Sequence, residues 1–174
     1  MFEVKRVMNN ILDNKEYIKI VEDILKNEEF NKIKNIEHHG ISRFEHSLKV
    51  SYNAYKIAKK LNLNYIEVAR GGLLHDFFLS NENRTSKERF ISTFVHPKKA
   101  LKTSLENFDI TELEADIIKS HMFPVNLTMP KHRESWLVNM VDKGIGSFEF
   151  SMKLGYRFSY STNLVLLVLF NFIK

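Results

Sequence analysis

The chain has 174 residues, of which 44% are hydrophobic and 27% charged, with no cysteine and a formal net charge of +5. This length predicts one domain that buries roughly 70% of its unfolded surface, and the composition excludes a disordered or fibrous chain. The lack of cysteine excludes disulfides and thiolate-bound metals. Lysines and arginines are interleaved with acids rather than clustered, so we expect a small anionic substrate and no dedicated nucleic-acid binding.

Neither end of the chain predicts a targeting or membrane-spanning segment. Residues 1–25 are amphipathic and include acids, unlike a secretory signal or transit peptide. The apolar run over 164–170 is shorter than the about 20 residues that span a bilayer. We expect a cytoplasmic protein whose last helix, at about 162–173, packs in the core or forms a homo-oligomer interface. Contact with a membrane surface is the alternative.

Few glycines and prolines interrupt the first half of the chain, which favours helices. Apolar residues recur at helical spacing over 11–25. After the polar stretch 31–42, Ser42 and Glu45 are spaced as a capping box, which predicts a helix over about 43–61. A further helix is predicted over about 65–78, where the pair Gly71-Gly72 indicates the close approach of a neighbouring helix.

The second half continues the helical pattern. The polar segment 80–89 predicts a loop that either covers a binding site or is simply solvated. His96-Pro97 predicts the start of a helix, because proline favours the first helical position. Thr111 and Glu114 form a second capping box, before a helix that reaches His121. Pro124 and Pro130 bound a loop, and a last predicted helix follows it over about 134–149. Together the predicted helices form a single all-α bundle.

Metal ligation is indicated by the pair His75-Asp76, which follows the apolar run 69–74. A buried charge without a partner is costly, and a cation would supply that partner. Further candidate ligands flank the core-facing sides of predicted helices or stand at their ends, where they can converge as in helical metal sites. The full candidate set is His46, His75, Asp76, His96, His121 and Asp142.

Each of these further candidates also has an ordinary explanation when it is considered alone. His46 could be a surface or hydrogen-bonded residue, and His96 could cap a helix. His121 could interact with a helix dipole, and Asp142 could pair with a nearby lysine.

The order His46, His75-Asp76 and Asp142 resembles that of the HD (His-Asp) metal-dependent phosphohydrolase superfamily, in its small single-domain bacterial type. The resemblance covers about residues 41–148. It is carried by the local sequences Arg43-Phe44-Glu45-His46-Ser47, Gly72-Leu73-Leu74-His75-Asp76 and Val141-Asp142-Lys143. It implies one HD-type helical domain over 1–174, to which the helices at 11–25 and 162–173 are additions.

The resemblance also implies a metal arrangement. One divalent cation would be held by His46, His75, Asp76 and Asp142. A second would be held by His96 and His121, with Asp76 as the bridge and the central catalytic residue. Iron or manganese suits these nitrogen and oxygen donors best, and zinc, cobalt or nickel is possible. Two such cations activate a hydroxide for attack on a phosphate mono- or diester of a small nucleotide.

Several assignments stay open at this point. Arg43 and Lys143 are predicted to bind substrate phosphate, with surface ion pairs as the alternative. His39 could line the mouth of the pocket, whereas His38 and His132 receive no role. Neither the lysine beyond the His-Asp pair nor the cyclic di-GMP motif of some branches is present. A di-iron oxygenase of the same superfamily and a non-catalytic nucleotide-binding sensor are the alternative functions.

Overall fold

The computed structural model describes residues 11–38, 41–79 and 86–172. Over these residues the regular secondary structure is helical apart from one short hairpin, which confirms the all-α prediction. The helices are α1 (Lys15–Lys26), α2 (Glu28–Asn31), α3 (Arg43–Lys60), α4 (Tyr65–Leu74), α5 (Ser86–Asn107), α6 (Glu112–Ser120) and α7 (Arg133–Phe172).

A 3-10 turn and a two-stranded antiparallel hairpin connect α2 to α3. The turn is Lys32–Asn35, and the strands are β1 (Glu37–His38) and β2 (Ile41–Ser42). Glu37 pairs with Ser42, and His38 pairs with Ile41. The hairpin therefore delivers the chain directly to the N-terminus of α3.

Side-chain caps fix where several helices begin, among them α1, α3 and α6. In α3, the Ser42 hydroxyl accepts from the Glu45 N–H and the Glu45 carboxylate accepts from the Ser42 N–H, both at 3.2 Å. Thr111 and Glu114 form the same reciprocal pair at the start of α6, so both predicted capping boxes are confirmed. Asn14 caps α1 by accepting from the Tyr17 N–H, so this helix begins later than the predicted residue 11.

The core surrounds α3, which packs against α4 and α7, while α6 packs against α4, α5 and α7. Tyr17, Leu48 and Phe77 are fully buried in the larger apolar cluster. A smaller cluster joins α3, α4, α6 and α7. Burying such side chains stabilises the fold by about 1.5–3 kcal/mol each, and the packing fixes the helix ends that carry the candidate ligands.

The two adjacent glycines of α4 lie against two different helices. A Cβ on Gly72 would lie 3.1 Å from the Ser51 Cα of α3, and a Cβ on Gly71 would lie 3.0 Å from the Ile117 Cδ1 of α6. The predicted close approach is confirmed, and it brings the end of α4 between α3 and α6.

Three further predicted boundaries were wrong. Helix α4 ends at Leu74 rather than Phe78, because the chain turns at His75 and Asp76. Helix α5 begins before the predicted start and contains Pro97 in its interior. The proline is buried there, although it removes one helical hydrogen bond. Helix α7 continues without a break through the region between the predicted helices 134–149 and 162–173, since no proline follows residue 130 to stop it.

Other predictions fall partly outside the described residues. Of the predicted loop 80–89, residues 86–89 belong to α5 and 80–85 lie outside the described ranges, as does His39. The packing of the side chains at 164–170 also lies outside what the structure describes. Within the described ranges, no helix combines the length and apolarity needed to cross a membrane.

Candidate metal centre

The six predicted ligands come together at one place in the bundle. They are supplied by α3, the end of α4, α5, the end of α6 and α7. Their donor atoms form three groups, and within each group the atoms all lie within 4.8 Å of one another. These groups are His46, His75 and Asp76; His75, His121 and Asp142; and Asp76, His96 and His121.

Two of the histidines end helices and are oriented by the same backbone contact. His75 is the C-cap of α4 and its Nδ1 lies 2.8 Å from the Gly72 carbonyl oxygen. His121 is the C-cap of α6 and its Nδ1 lies 2.8 Å from the Ile118 carbonyl oxygen. Because a carbonyl oxygen can only accept, each Nδ1 carries a proton. Each Nε2 is thus directed into the cluster.

His46 lies between two carboxylates of α7. Its Nε2 is 3.0 Å from the Asp142 Oδ1, and its Nδ1 is 2.8 Å from the Glu149 Oε2. Burial lowers the pKa of His46, but these two hydrogen bonds outweigh it and raise the pKa to about 10. Burial raises the pKa of Asp142, whereas the neighbouring His46 and His75 lower it well below its usual range. Asp142 is therefore ionised at neutral pH.

The two oxygens of Asp76 face different histidines. Oδ2 lies 3.9 Å from the His75 Nε2, while Oδ1 lies 3.4 Å from the His96 Nε2 and 3.6 Å from the His121 Nε2. The carboxylate thus stands between the group that contains His75 and the group that contains His96 and His121.

Electrostatics separates the histidines into two kinds. Burial lowers the pKa of His75, but the negative charges of Asp76 and Asp142 raise it overall. Burial and the nearby positive charge of His75 lower the pKa of His121 to about 3. His121 is therefore neutral at physiological pH. Its Nε2 accepts a hydrogen bond from the His96 Nε2 at 2.9 Å, and a cation between the two rings would take the place of that proton.

A family model described as the HD domain matches residues 43–143, which is more than half of the chain. The chain belongs to the HD domain family. Proteins of this family are mostly metal-dependent hydrolases that bind divalent metals. Searches of curated proteins and of solved structures found no match.

The residues of this HD domain fit a divalent cation. The Nε2 of His75 is fully buried and has no hydrogen-bond partner among the described residues, although the Asp142 Oδ1 is 3.6 Å away. A buried polar atom left in this state costs about 1–3 kcal/mol, and a bound cation would satisfy it. Imidazole nitrogen and carboxylate oxygen are donors that divalent transition metals accept. That these six side chains are the ligands stays a prediction.

Arg43 and Phe78 support the turn that carries His75 and Asp76. The Arg43 guanidinium donates to the Phe78 carbonyl oxygen at 2.5 Å and lies 3.9 Å from the centre of the Phe78 ring. That ring stacks on His96 at a centroid distance of 5.4 Å. Arg43 is only 5% exposed, and these two contacts tie it to the protein. A contact with substrate stays a prediction.

Lys143 is next to Asp142 on α7 and closes the other side of the cluster. Its Nζ donates to the His121 carbonyl oxygen at 3.0 Å, and desolvation lowers the pKa of its ammonium group. The residue is exposed, so a negatively charged group can reach it from solvent. Its predicted role in binding substrate also remains a prediction.

Two residues of the site were missed by the sequence analysis, and both lie on α7. Asn139 is buried, and its Nδ2 donates to the carbonyl oxygens of His121 at 2.6 Å and Phe123 at 3.0 Å. Glu149 contacts His46 as described above. They are three residues before and seven residues after Asp142, so helical spacing places them on its face and could have identified them.

Proposed function

We propose that this HD domain is a metal-dependent phosphohydrolase that cleaves a phosphate mono- or diester of a small nucleotide. The observation that supports the proposal is the convergence of four imidazoles and two carboxylates in one cluster, of which four side chains are buried and two partly exposed. When bound, a divalent cation polarises a phosphoryl oxygen and lowers the pKa of water towards about 7. Holding the cation and orienting the substrate are the roles of the side chains described below.

The charge of the cluster favours two cations, and we propose iron or manganese for both. Once the histidines are neutral, as metal ligation requires, Asp76 and Asp142 contribute two negative charges to the cluster. One divalent cation would only neutralise them. A second would leave the site positive, which is what a phosphate dianion requires. The position of Asp76 between two groups of histidines supports its proposed role as the bridge.

The substrate is proposed to enter on the side of His96 and Asp142. These side chains are 12% and 13% exposed, whereas those of the other four are at most 5% exposed. Lys143 follows Asp142 on the same helix and offers an ammonium group on that side. The buried histidines at the ends of α4 and α6 hold their orientation through backbone contacts, so they need no rearrangement when substrate binds.

The test is hydrolysis of a panel of nucleotides and phosphate esters by metal-loaded protein, with released phosphate and product as readouts. The Asp76→Ala variant should lose both metal and turnover, whereas Asp109→Asn, an exposed acid away from the cluster, should retain both. Hydrolysis that persisted in metal-free Asp76→Ala protein would eliminate the proposal.

The same donor set also suits a pair of irons, so an oxygenase is the second candidate. Four histidines and two carboxylates without cysteine are compatible with oxygen chemistry as well as hydrolysis. Oxygen uptake coupled to substrate loss, with no release of phosphate, would replace the hydrolase assignment. Tight nucleotide binding by metal-loaded protein without any turnover would instead support a sensor.

A further inference from the structure

Glu149 is a buried carboxylate beyond the part of the chain that matches the HD domain. The match ends at residue 143, and Glu149 lies two turns after Asp142 on α7. Seven residues of helix advance about 10 Å and return to nearly the same face. Asp142 and Glu149 can therefore contact opposite edges of one imidazole ring, and that ring is His46.

Both oxygens of the Glu149 carboxylate are engaged. Oε2 lies 2.8 Å from the His46 Nδ1, and Oε1 accepts from the Lys49 Nζ at 3.0 Å. Lys49 follows His46 by three residues, so the two side chains lie on one face of α3. Glu149 is only 7% exposed. Burying an ion pair is often no more favourable than burying apolar side chains. Packing alone therefore does not explain why a glutamate occupies position 149.

We propose that Glu149 is a positioning residue for the metal centre: it holds a proton on the His46 Nδ1 and so directs the Nε2 lone pair towards the cation beside Asp142. The inference rests on the proposed metal site. A carboxylate that accepts from the second nitrogen of a metal-bound histidine fixes the ring and increases the basicity of the ligand.

The other buried histidines of the cluster show why His46 needs this partner. His75 and His121 each end a helix, where Nδ1 reaches the carbonyl oxygen three residues earlier. His46 lies within the first turn of α3, where the N-terminal carbonyl groups already accept helical hydrogen bonds. A side chain from another helix has to supply the acceptor, and Glu149 does so. Unlike a backbone carbonyl, this acceptor can be removed by mutation.

The first measurement is zinc affinity, by competition with a chromophoric chelator, for wild-type protein, Glu149→Leu, Glu149→Gln and Lys49→Met. We expect the Glu149 variants to bind about 10–100-fold more weakly, the range typical for loss of such an outer carboxylate. Lys49→Met should have a smaller effect, because the contact of Glu149 with His46 remains. Glu134→Gln is the matched control, since Glu134 is on α7 but contacts the Asn64 N–H rather than a candidate ligand.

The second measurement identifies the tautomer directly, by nitrogen-15 NMR of the histidine rings in zinc-loaded protein. Wild-type protein should show His46 protonated at Nδ1 and zinc-bound at Nε2. Glu149→Leu should show a mixture of ring states at His46, with His75 and His121 unchanged. A purely structural role for Glu149 would lower stability without changing the His46 tautomer.

The outcomes separate this inference from the proposed function. Wild-type zinc affinity and an unchanged tautomer in both Glu149→Leu and Glu149→Gln would overturn the positioning role while leaving the metal centre intact. Absence of metal binding in wild-type protein would overturn both. If Glu149→Leu does not fold, the isosteric Glu149→Gln decides through zinc affinity. Its amide oxygen can still accept from the His46 Nδ1, so the tautomer stays, but without the negative charge the ligand is less basic and zinc should bind more weakly.

Discussion

The rings of His75 and His121 meet edge to face, with centroids 4.9 Å apart, at the ends of two different helices. Each ring is held by a hydrogen bond to the carbonyl oxygen three residues earlier. Helix ends leave carbonyl groups without helical partners, so a histidine at the C-cap both satisfies one of them and fixes its own orientation. Asp76 follows the first of these histidines and faces the second, which makes this pair the centre of the proposed site.

We predict that the two proposed metal positions, one beside His46 and one beside His121, can lose their cations separately. His121→Gln should lose about one of two bound metal equivalents, and His46→Gln should lose the other. The reason is that the Asp76 Oδ1 faces His96 and His121, whereas its Oδ2 faces His75, which shares a ligand group with His46. Metal content after gel filtration, measured by plasma mass spectrometry, gives the answer. His132→Gln is the control, because His132 is exposed.

Two results would contradict this arrangement. Loss of all metal from His121→Gln would mean that the groups do not bind independently. Full metal content in that variant, with one equivalent in wild-type protein, would leave His96 and His121 as pocket residues beside a single ion.

We also predict that metal removal lowers thermal stability. A ligand present at 100 times its Kd stabilises the folded state by about 2.7 kcal/mol. For a chain of this size that corresponds to roughly 5–10 °C in Tm. Unfolding followed by circular dichroism, with excess manganese and then with chelator, measures the shift. Asp76→Ala should show no difference between the two conditions, and an equal shift in that variant would place the stabilising ion elsewhere.

Asn139 is predicted to stabilise the end of α6. Its side-chain amide donates to the His121 and Phe123 carbonyl oxygens. In Asn139→Ala the Phe123 carbonyl loses this donor, whereas the His121 carbonyl keeps only the Lys143 ammonium. The expected loss is about 1–3 kcal/mol in free energy of unfolding, measured by urea titration. The neighbouring Met140 is 68% exposed, so Met140→Ala should change stability by less than about 0.5 kcal/mol. Equal effects in the two variants would mean that the Asn139 hydrogen bonds contribute nothing.

Local rules predicted most of the helices but not all their ends. The capping boxes at Ser42 and Thr111 identified the starts of α3 and α6, because the contacts involved lie within one turn. The helix start predicted at Pro97 was wrong, since the preference of proline for the first turn is a tendency and not a rule. The full length of α7 was also missed, as an apolar pattern interrupted by polar residues resembles two helices.

For the site, the sequence order identified six candidates that the fold brings together, whereas their supporting contacts required coordinates. Glu149 contacts a histidine more than 100 positions earlier in the chain, and no local pattern indicates such a pairing. The tautomers of His75 and His121 depend on α4 and α6 ending next to those residues. For α4, this end lies about one turn earlier than predicted. Helical spacing from Asp142 was the one signal that could have pointed to Asn139 and Glu149.

The glycines of α4 and α7 should respond in opposite directions to substitution by alanine. A Cβ on Gly72 would lie 3.1 Å from the Ser51 backbone, and such overpacking costs about 1–3 kcal/mol. A Cβ on Gly146 would meet nothing within 4 Å, so Gly146→Ala should stabilise α7 by about 0.5–1 kcal/mol through helix propensity.

Gly72→Ala should also weaken metal binding, because its carbonyl oxygen holds the His75 ring and a displaced α4 moves His75 and Asp76 with it. Urea unfolding and zinc competition on both variants measure the two effects. Gly146→Ala should retain wild-type zinc affinity. Wild-type stability of Gly72→Ala would contradict this prediction. It would mean that something other than the close contact between α3 and α4 sets the position of His75 and Asp76.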